Sequence, residues 1–321
     1  MPETDVRLDE STFLRGGWRI VARKEAADHI QSARFTVLVA ILAVAAAGAV
    51  YAAANGIRDV APRAAEVSGL FLKLFTITED PVPFPFLTFV GFLGPLLGIM
   101  FGFDAISGER SQGTLPRLLS HPIHRDQVIV GKFAGGLVVI GLTVTALTAL
   151  VSGIGIFRLG LAPEPDEAAR LIVWLIAAVA YLGVWLALAM LASVTMQKAA
   201  TSALVGLAVW LGLVLFGPLL FTLGANAVAG SDPAQLAETE VMLSRLSPAT
   251  LYQEASTVLL DPSQRAVGLV SFDQIDRALV SELTLAQSLG VIWPQIVGLL
   301  ALTCVLFAWA FVAFMRQEVR A

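Results

Sequence analysis

Cysteine is nearly missing from this chain: Cys304 is the only one in 321 residues. No disulfide can form within the chain, and a cysteine-rich metal site is excluded. Charge is scarce as well, at 14% Asp, Glu, Lys and Arg against about 25% in soluble domains. The sequence has no G-x-x-x-x-G-K-[ST] stretch, so it cannot cradle nucleotide phosphates in the P-loop manner; Gly131-Lys132 lacks both the earlier glycine and the following hydroxyl. A formal charge of −4 argues against a nucleic-acid partner.

What the chain has in abundance is apolar length, with 57% hydrophobic residues and a mean hydropathy of +0.78. A bilayer span needs about 20 apolar residues, because the hydrocarbon core is about 30 Å thick and a helix rises about 1.5 Å per residue. Six stretches qualify: Phe35 to Ala54, Pro83 to Phe103, Phe133 to Phe157, Leu171 to Val194, Thr201 to Gly224 and Leu289 to Met315. An open strand would leave backbone groups unpaired in lipid, so all six are expected to be helices. The predicted fold is therefore all-α, a polytopic membrane protein with six transmembrane helices. The first apolar run begins only at Phe35 and is long enough to span, which argues against a cleaved leader.

Six spans put both termini on one side, and basic residues choose the side. Residues 1–34, the Asp104 to Lys132 loop, the 195–200 turn and the 316–321 tail hold 13 Lys/Arg in 75 residues, whereas the opposite loops hold 8 in 105. Both termini are thus expected in the cytoplasm. Trp174 and Trp293 fall near the outer ends of their spans, where amphipathic rings favour the interface; Trp185 and Trp210 do not, and read as packing residues.

Between the spans, further helices are expected. Leu14, Trp18 and Val21 recur at helical spacing with Arg15, Arg19, Arg23 and Lys24 on other faces, as in a helix lying in the membrane surface or a solvated juxtamembrane helix. His29 at its end reads as exposed. Val67, Leu70, Phe71, Leu74 and Phe75 predict a second interfacial helix over the outer mouth. In the long outer loop, residues 225–288, Ser247-Pro248 reads as an N-cap with proline at the first helical position, followed by an apolar stripe of Leu251, Ala255, Leu259 and Leu260. Glu254, Asp273 and Asp276 there read as a solvated face. In the second span Gly94, Gly98 and Gly102 form two overlapping G-x-x-x-G steps, a helix-packing seam or a dimer interface. The resulting organisation is a cytoplasmic segment 1–34, a membrane domain 35–315 and a tail 316–321.

The loop Asp104 to Lys132 is the most informative segment. Gly113 breaks the preceding helix, Thr114 can cap a new one, and Pro116 is tolerable in its first turn. Leu115, Leu118 and Leu119 then share one face until Pro122 stops the helix. Such a face, outside the bilayer, needs a protein groove or a lipid surface to cover it. His121, His124 and Asp126 could suggest a metal, but Pro122 separates them and no second cluster answers them, so no metal site is assigned.

The residues Asp104-Ala105-Ile106, Ser107-Gly108-Glu109-Arg110, Gly113-Thr114-Leu115, Leu118-Leu119-Ser120, Pro122-Ile123, Arg125 and Gly131-Lys132 resemble the signature loop of ABC-2-type permeases, the membrane subunits of ABC transporters. The resemblance extends to Arg23-Lys24-Glu25 and to Ser247-Pro248-Ala249-Thr250-Leu251, with His124 departing from the small polar residue expected before Arg125. It implies a permease, mostly exporting, that pairs with a second permease and inserts a short cytoplasmic coupling helix into a separate ATPase subunit. ATP and magnesium would then reside on that partner, and this chain would hold no cofactor and catalyse nothing itself. Under that resemblance Leu115, Leu118 and Leu119 fill the ATPase groove, Glu109, Arg110 and Arg125 fix orientation and register, and Gly113, Thr114 and Pro122 belong to the same ATPase-coupling set. A membrane-embedded enzyme would need ionisable groups inside its spans, and the six stretches contain no Asp, Glu, Lys or Arg. A non-transporting scaffold is the other alternative. Spans without charge favour a hydrophobic or amphipathic passenger in the plasma membrane.

Overall fold

The computed structural model describes residues 10–58, 69–78, 80, 82, 84–114, 124–160, 162–229, 232–262 and 283–317. All regular structure among them is helical. The order is α1 (Glu10–Ile30), α2 (Ala33–Arg58), α3 (Leu70–Thr76), α4 (Phe86–Gly102), α5 (Ser107–Ser111), α6 (Arg125–Leu159), α7 (Pro165–Thr195), α8 (Ala199–Ala229), α9 (Pro233–Ser244), α10 (Pro248–Leu260) and α11 (Leu285–Arg316).

Five of these, α2, α6, α7, α8 and α11, are long and apolar enough to cross a membrane. The second expected span is shorter: α4 has 17 residues, about 26 Å of helix. Pro85, extended at the N-cap, marks its start, and Phe103 caps its end. α4 nonetheless runs the length of the bundle. Phe86 packs against Phe75 and Trp174 at one end, and just beyond Gly102 at the other, Asp104 meets Arg34 at 2.9 Å.

α7 is the central helix, with α4, α6, α8, α10 and α11 around it. Its start is fixed by an acidic capping box, Glu164 with Glu167, followed by Pro165. The Gly94–Gly98–Gly102 ridge faces α7. A Cβ on Gly98 would lie 2.7 Å from the Leu182 carbonyl oxygen, and one on Gly102 would lie 2.6 Å from the Ala189 Cβ. Such closeness is how helices associate where lipid supplies no hydrophobic drive. α1 rides on the base of α6 in the same manner, its Trp18 carbonyl 2.7 Å from where a Gly131 Cβ would stand and its Ala22 carbonyl 2.8 Å from that of Gly135.

Several expectations change once the chain is folded. Trp174 is fully buried, its indole N–H donating to Ser256 Oγ at 3.1 Å, and is no interfacial anchor; a neighbouring hydroxyl satisfies its polar atom. Trp185 and Trp210 are buried as expected, and Trp293 is exposed. α3 does not lie on the surface: Leu70, Phe71, Leu72, Leu74 and Phe75 are all covered by neighbouring helices, and the Phe71 N–H donates to Glu167 at 3.1 Å. α10 carries its stripe inward as expected, but Ser247 makes no side-chain cap bond, and Pro248 alone marks the start. Glu254 is no solvated acid, because Arg245 at 3.1 Å and Gln295 at 2.9 Å both donate to it. His29 is half-buried, its ring 4.5 Å from that of Phe101. Asp273 and Asp276 lie outside the described residues.

The two ends of the bundle carry different chemistry. At the end holding α3 and α10, the buried Arg170 donates to Ser288 Oγ at 3.0 Å, to the Leu259 carbonyl at 3.3 Å and to the Leu283 carbonyl. It ties three connections to α7. The opposite end holds α1, α5 and the roots of the 104–132 loop.

Candidate functional site

α5 is a single helical turn that continues α4 past Asp104. It is held by Ser193 of α7, whose hydroxyl accepts from the Ile106 and Ser107 N–H groups, both at 3.0 Å. This small-residue contact lets α5 sit flush on α7. Gly113 ends the segment with φ +68°, a conformation that costs a side chain about 1 kcal/mol or more.

From this platform four of the loop residues singled out in the sequence reach the described structure with partners inside the chain. Thr114 turns back, its hydroxyl donating to the Glu109 carbonyl at 3.2 Å and to the Glu109 carboxylate. It closes the end of α5; the helix expected to follow it lies outside the described residues. Glu109 in turn lies 3.6 Å from the Lys132 ammonium. Arg110 donates to the Met196 carbonyl at 3.1 Å, to the Val194 carbonyl at 3.4 Å and to the Gln317 side chain. Arg125, on the far side of the loop, donates to the Gln317 carbonyl at 3.0 Å. Leu115, Leu118, Leu119 and Pro122 lie outside the described residues.

Gln317 escaped the sequence reading, and Lys132 and Glu25 entered it only through the family resemblance, not as a pair. Gln317, just past α11, joins the two arginines that flank the loop, Arg110 at its side-chain oxygen and Arg125 at its main-chain carbonyl, so the last helix and both loop roots meet at one residue. Lys132 is buried, with only 4% of its side chain exposed, and forms a 2.8 Å ion pair with Glu25 of α1. Burial alone would push the Glu25 carboxyl up, but the Lys132 ammonium, helped by Lys24, outweighs it and holds the group below the ordinary range. The only sequence signal for this pair was spacing: Trp18, Val21 and Glu25 fall on one face, so the acid continues the apolar stripe. Beside the pair lies a cavity of about 410 Å³ reaching Asp28, His29, Arg34 and Asp104.

Chemically the arrangement can brace and transmit. Lys24, Arg34 and Lys132 pair with Asp28, Asp104, Glu25 and Glu109, while Arg110 and Arg125 are held by carbonyl and amide oxygens. The fold defines a helical integral membrane protein whose 104–132 loop is anchored at both roots. Residues 19–319 match the ABC-2 family transporter protein model, and the chain belongs to that family. It is similar to the probable ABC transporter permease protein NosY of Stutzerimonas stutzeri, at 28% identity over 266 residues covering 79% of this chain and 86% of that protein. It is also similar to the probable ABC transporter permease protein NosY of Pseudomonas aeruginosa, at 31% identity over 154 residues covering 46% of this chain and 48% of that protein.

Proposed function

We propose that this chain is the membrane-spanning subunit of an ATP-driven exporter, six-spanning with both termini in the cytoplasm, energised by a separate ATPase docked on the 104–132 loop. It works in the plasma membrane as one of two permease protomers, identical or paralogous, and moves a hydrophobic or amphipathic compound. ATP and magnesium act on the partner, and this chain contributes no catalytic group. Family membership and the permease relatives support the transport role.

The observation that favours coupling through the loop is its double anchorage. A push on residues 115–123 reaches α7 and α11 through Arg110, α11 again through Arg125, and α6 through Glu109 and Lys132. Elements tied in this way move as rigid bodies, and that is what alternating access requires. Leu115, Leu118 and Leu119 supply the apolar anchors that such a docking site needs at its centre.

The test is Leu118→Asp, which buries a carboxylate in the docking groove. The variant should insert in the membrane at normal abundance yet lose at least tenfold of its co-purifying ATPase. Unchanged recovery of the ATPase would refute docking at this loop.

A further inference from the structure

Lys132 sits at the base of α6 between two carboxylates that belong to different moving parts. Glu25 Oε1 on α1 is 2.8 Å from the ammonium and Glu109 Oε1 on α5 is 3.6 Å away. The first is a formed, charge-assisted hydrogen bond and the second an ion-pair contact just outside hydrogen-bond range. Of the neighbouring groups, Arg34 holds Asp104 and His29 lies on Phe101, while Lys24 bonds Asp28 at 2.9 Å and also reaches the same Glu25 oxygen at 3.4 Å, a longer contact than that of Lys132. One buried ammonium therefore faces two competing acceptors.

Room for exchange exists. Glu25, Glu109 and Lys132 all line the cavity of about 410 Å³, whereas a close-packed interior would hold each side chain in one rotamer. Glu109 is also mechanically loaded, because its carboxylate receives the hydroxyl of Thr114, the last described residue before the leucine segment. A displacement of the loop moves Glu109 directly. Closing the longer contact by less than 1 Å would make the two acceptors equivalent.

We infer that Lys132 is a two-position latch, resting on Glu25 and transferred to Glu109 when the loop is pushed, so that nucleotide-driven loop movement releases α1 from α6. This rests on the reading of the loop as the ATPase dock. Lys132, Glu25 and Glu109 are positioning residues in that scheme. No bond beyond hydrogen bonds and ion pairs is exchanged, and no proton is transferred.

The experiment uses the full permease–ATPase complex in lipid nanodiscs with Cys304→Ser, and nitroxide labels on Arg23→Cys in α1 and Asp126→Cys in α6, both exposed sites. Distances are measured by pulsed EPR with and without magnesium and a non-hydrolysable ATP analogue. The unmutated latch should lengthen the distance when nucleotide binds. Glu109→Gln should abolish that shift and hold the short distance, while Glu25→Gln should give the long distance without nucleotide. Lys132→Arg should retain the shift and Lys132→Met lose it. Shifts of the same sign in Glu25→Gln and Glu109→Gln, or a nucleotide response intact in Glu109→Gln, would overturn the latch and leave the docking reading standing. A complex that never forms with the unmutated latch would overturn both.

Discussion

At the scale of single residues, burial next to an aromatic ring decides the behaviour of His29. Desolvation against Phe101 lowers its pKa below the ordinary 6.5, and the carboxylates of Glu25 and Asp104 recover only part of the loss. The folded chain then resists a proton that the unfolded chain accepts, so stability falls as pH drops below about 6.5 and is unaffected by this group above it. Glu25, with its depressed pKa, adds its own acid sensitivity only nearer the carboxylate range. Thermal unfolding in detergent should show the native chain losing up to about 1 kcal/mol between pH 7 and 5.5, and His29→Phe, which keeps a ring on Phe101, losing less. Equal acid sensitivity in the two proteins would rule the imidazole out as the source. None of this was visible in the sequence, where His29 looked like one more polar residue on a charged helix; what buries it is Phe101, 72 positions away.

At the scale of helices, the long apolar runs could be read directly, because a bilayer span has few alternatives to a helix. Their ends were less accessible: α6 begins at Arg125 and α7 at Pro165, each well before the apolar stretch that announced it, because capping and tertiary contacts carry the helix past the lipid-compatible residues. The glycine ridge of α4 was legible as a seam, and its partner, the Leu182–Met190 stretch of α7, was not, since α7 shows no matching glycine pattern. Here the geometry makes a graded prediction. Gly98→Ala and Gly102→Ala put a methyl group within 2.8 Å of α7 and should each cost about 1–3 kcal/mol. Gly212→Ala in α8 meets no heavy atom within 4 Å and should be neutral or slightly stabilising. Detergent unfolding midpoints check this, and equal losses at all three positions would mean that close approach is not what those glycines provide.

Across the whole molecule, the question is whether α4, at 17 residues, completes a sixth crossing. A stretch somewhat shorter than the hydrocarbon core is accommodated by thinning the bilayer or by its neighbours, at a fraction of a kcal/mol per Å. The proposed six-span arrangement requires α4 to cross between the bundle's two ends. Arg110, Val194, Met196 and Gln317 meet at one end, while Arg170, Leu259, Leu283 and Ser288 meet at the other, and α4 connects the two. With Cys304→Ser as background, single cysteines at the exposed positions Arg23, Gln112 and Lys198 should react with a membrane-impermeant maleimide only after permeabilisation. Cysteines at the exposed Ala162 and Gln235 should react in intact cells. The decisive comparison is Arg23 with Gln112, because of the described helices between them only α2 and α4 are long apolar helices that could cross. Labelling of these two from opposite sides would mean that α4 does not cross, which would put the 104–132 loop outside the cell and beyond the reach of any ATPase.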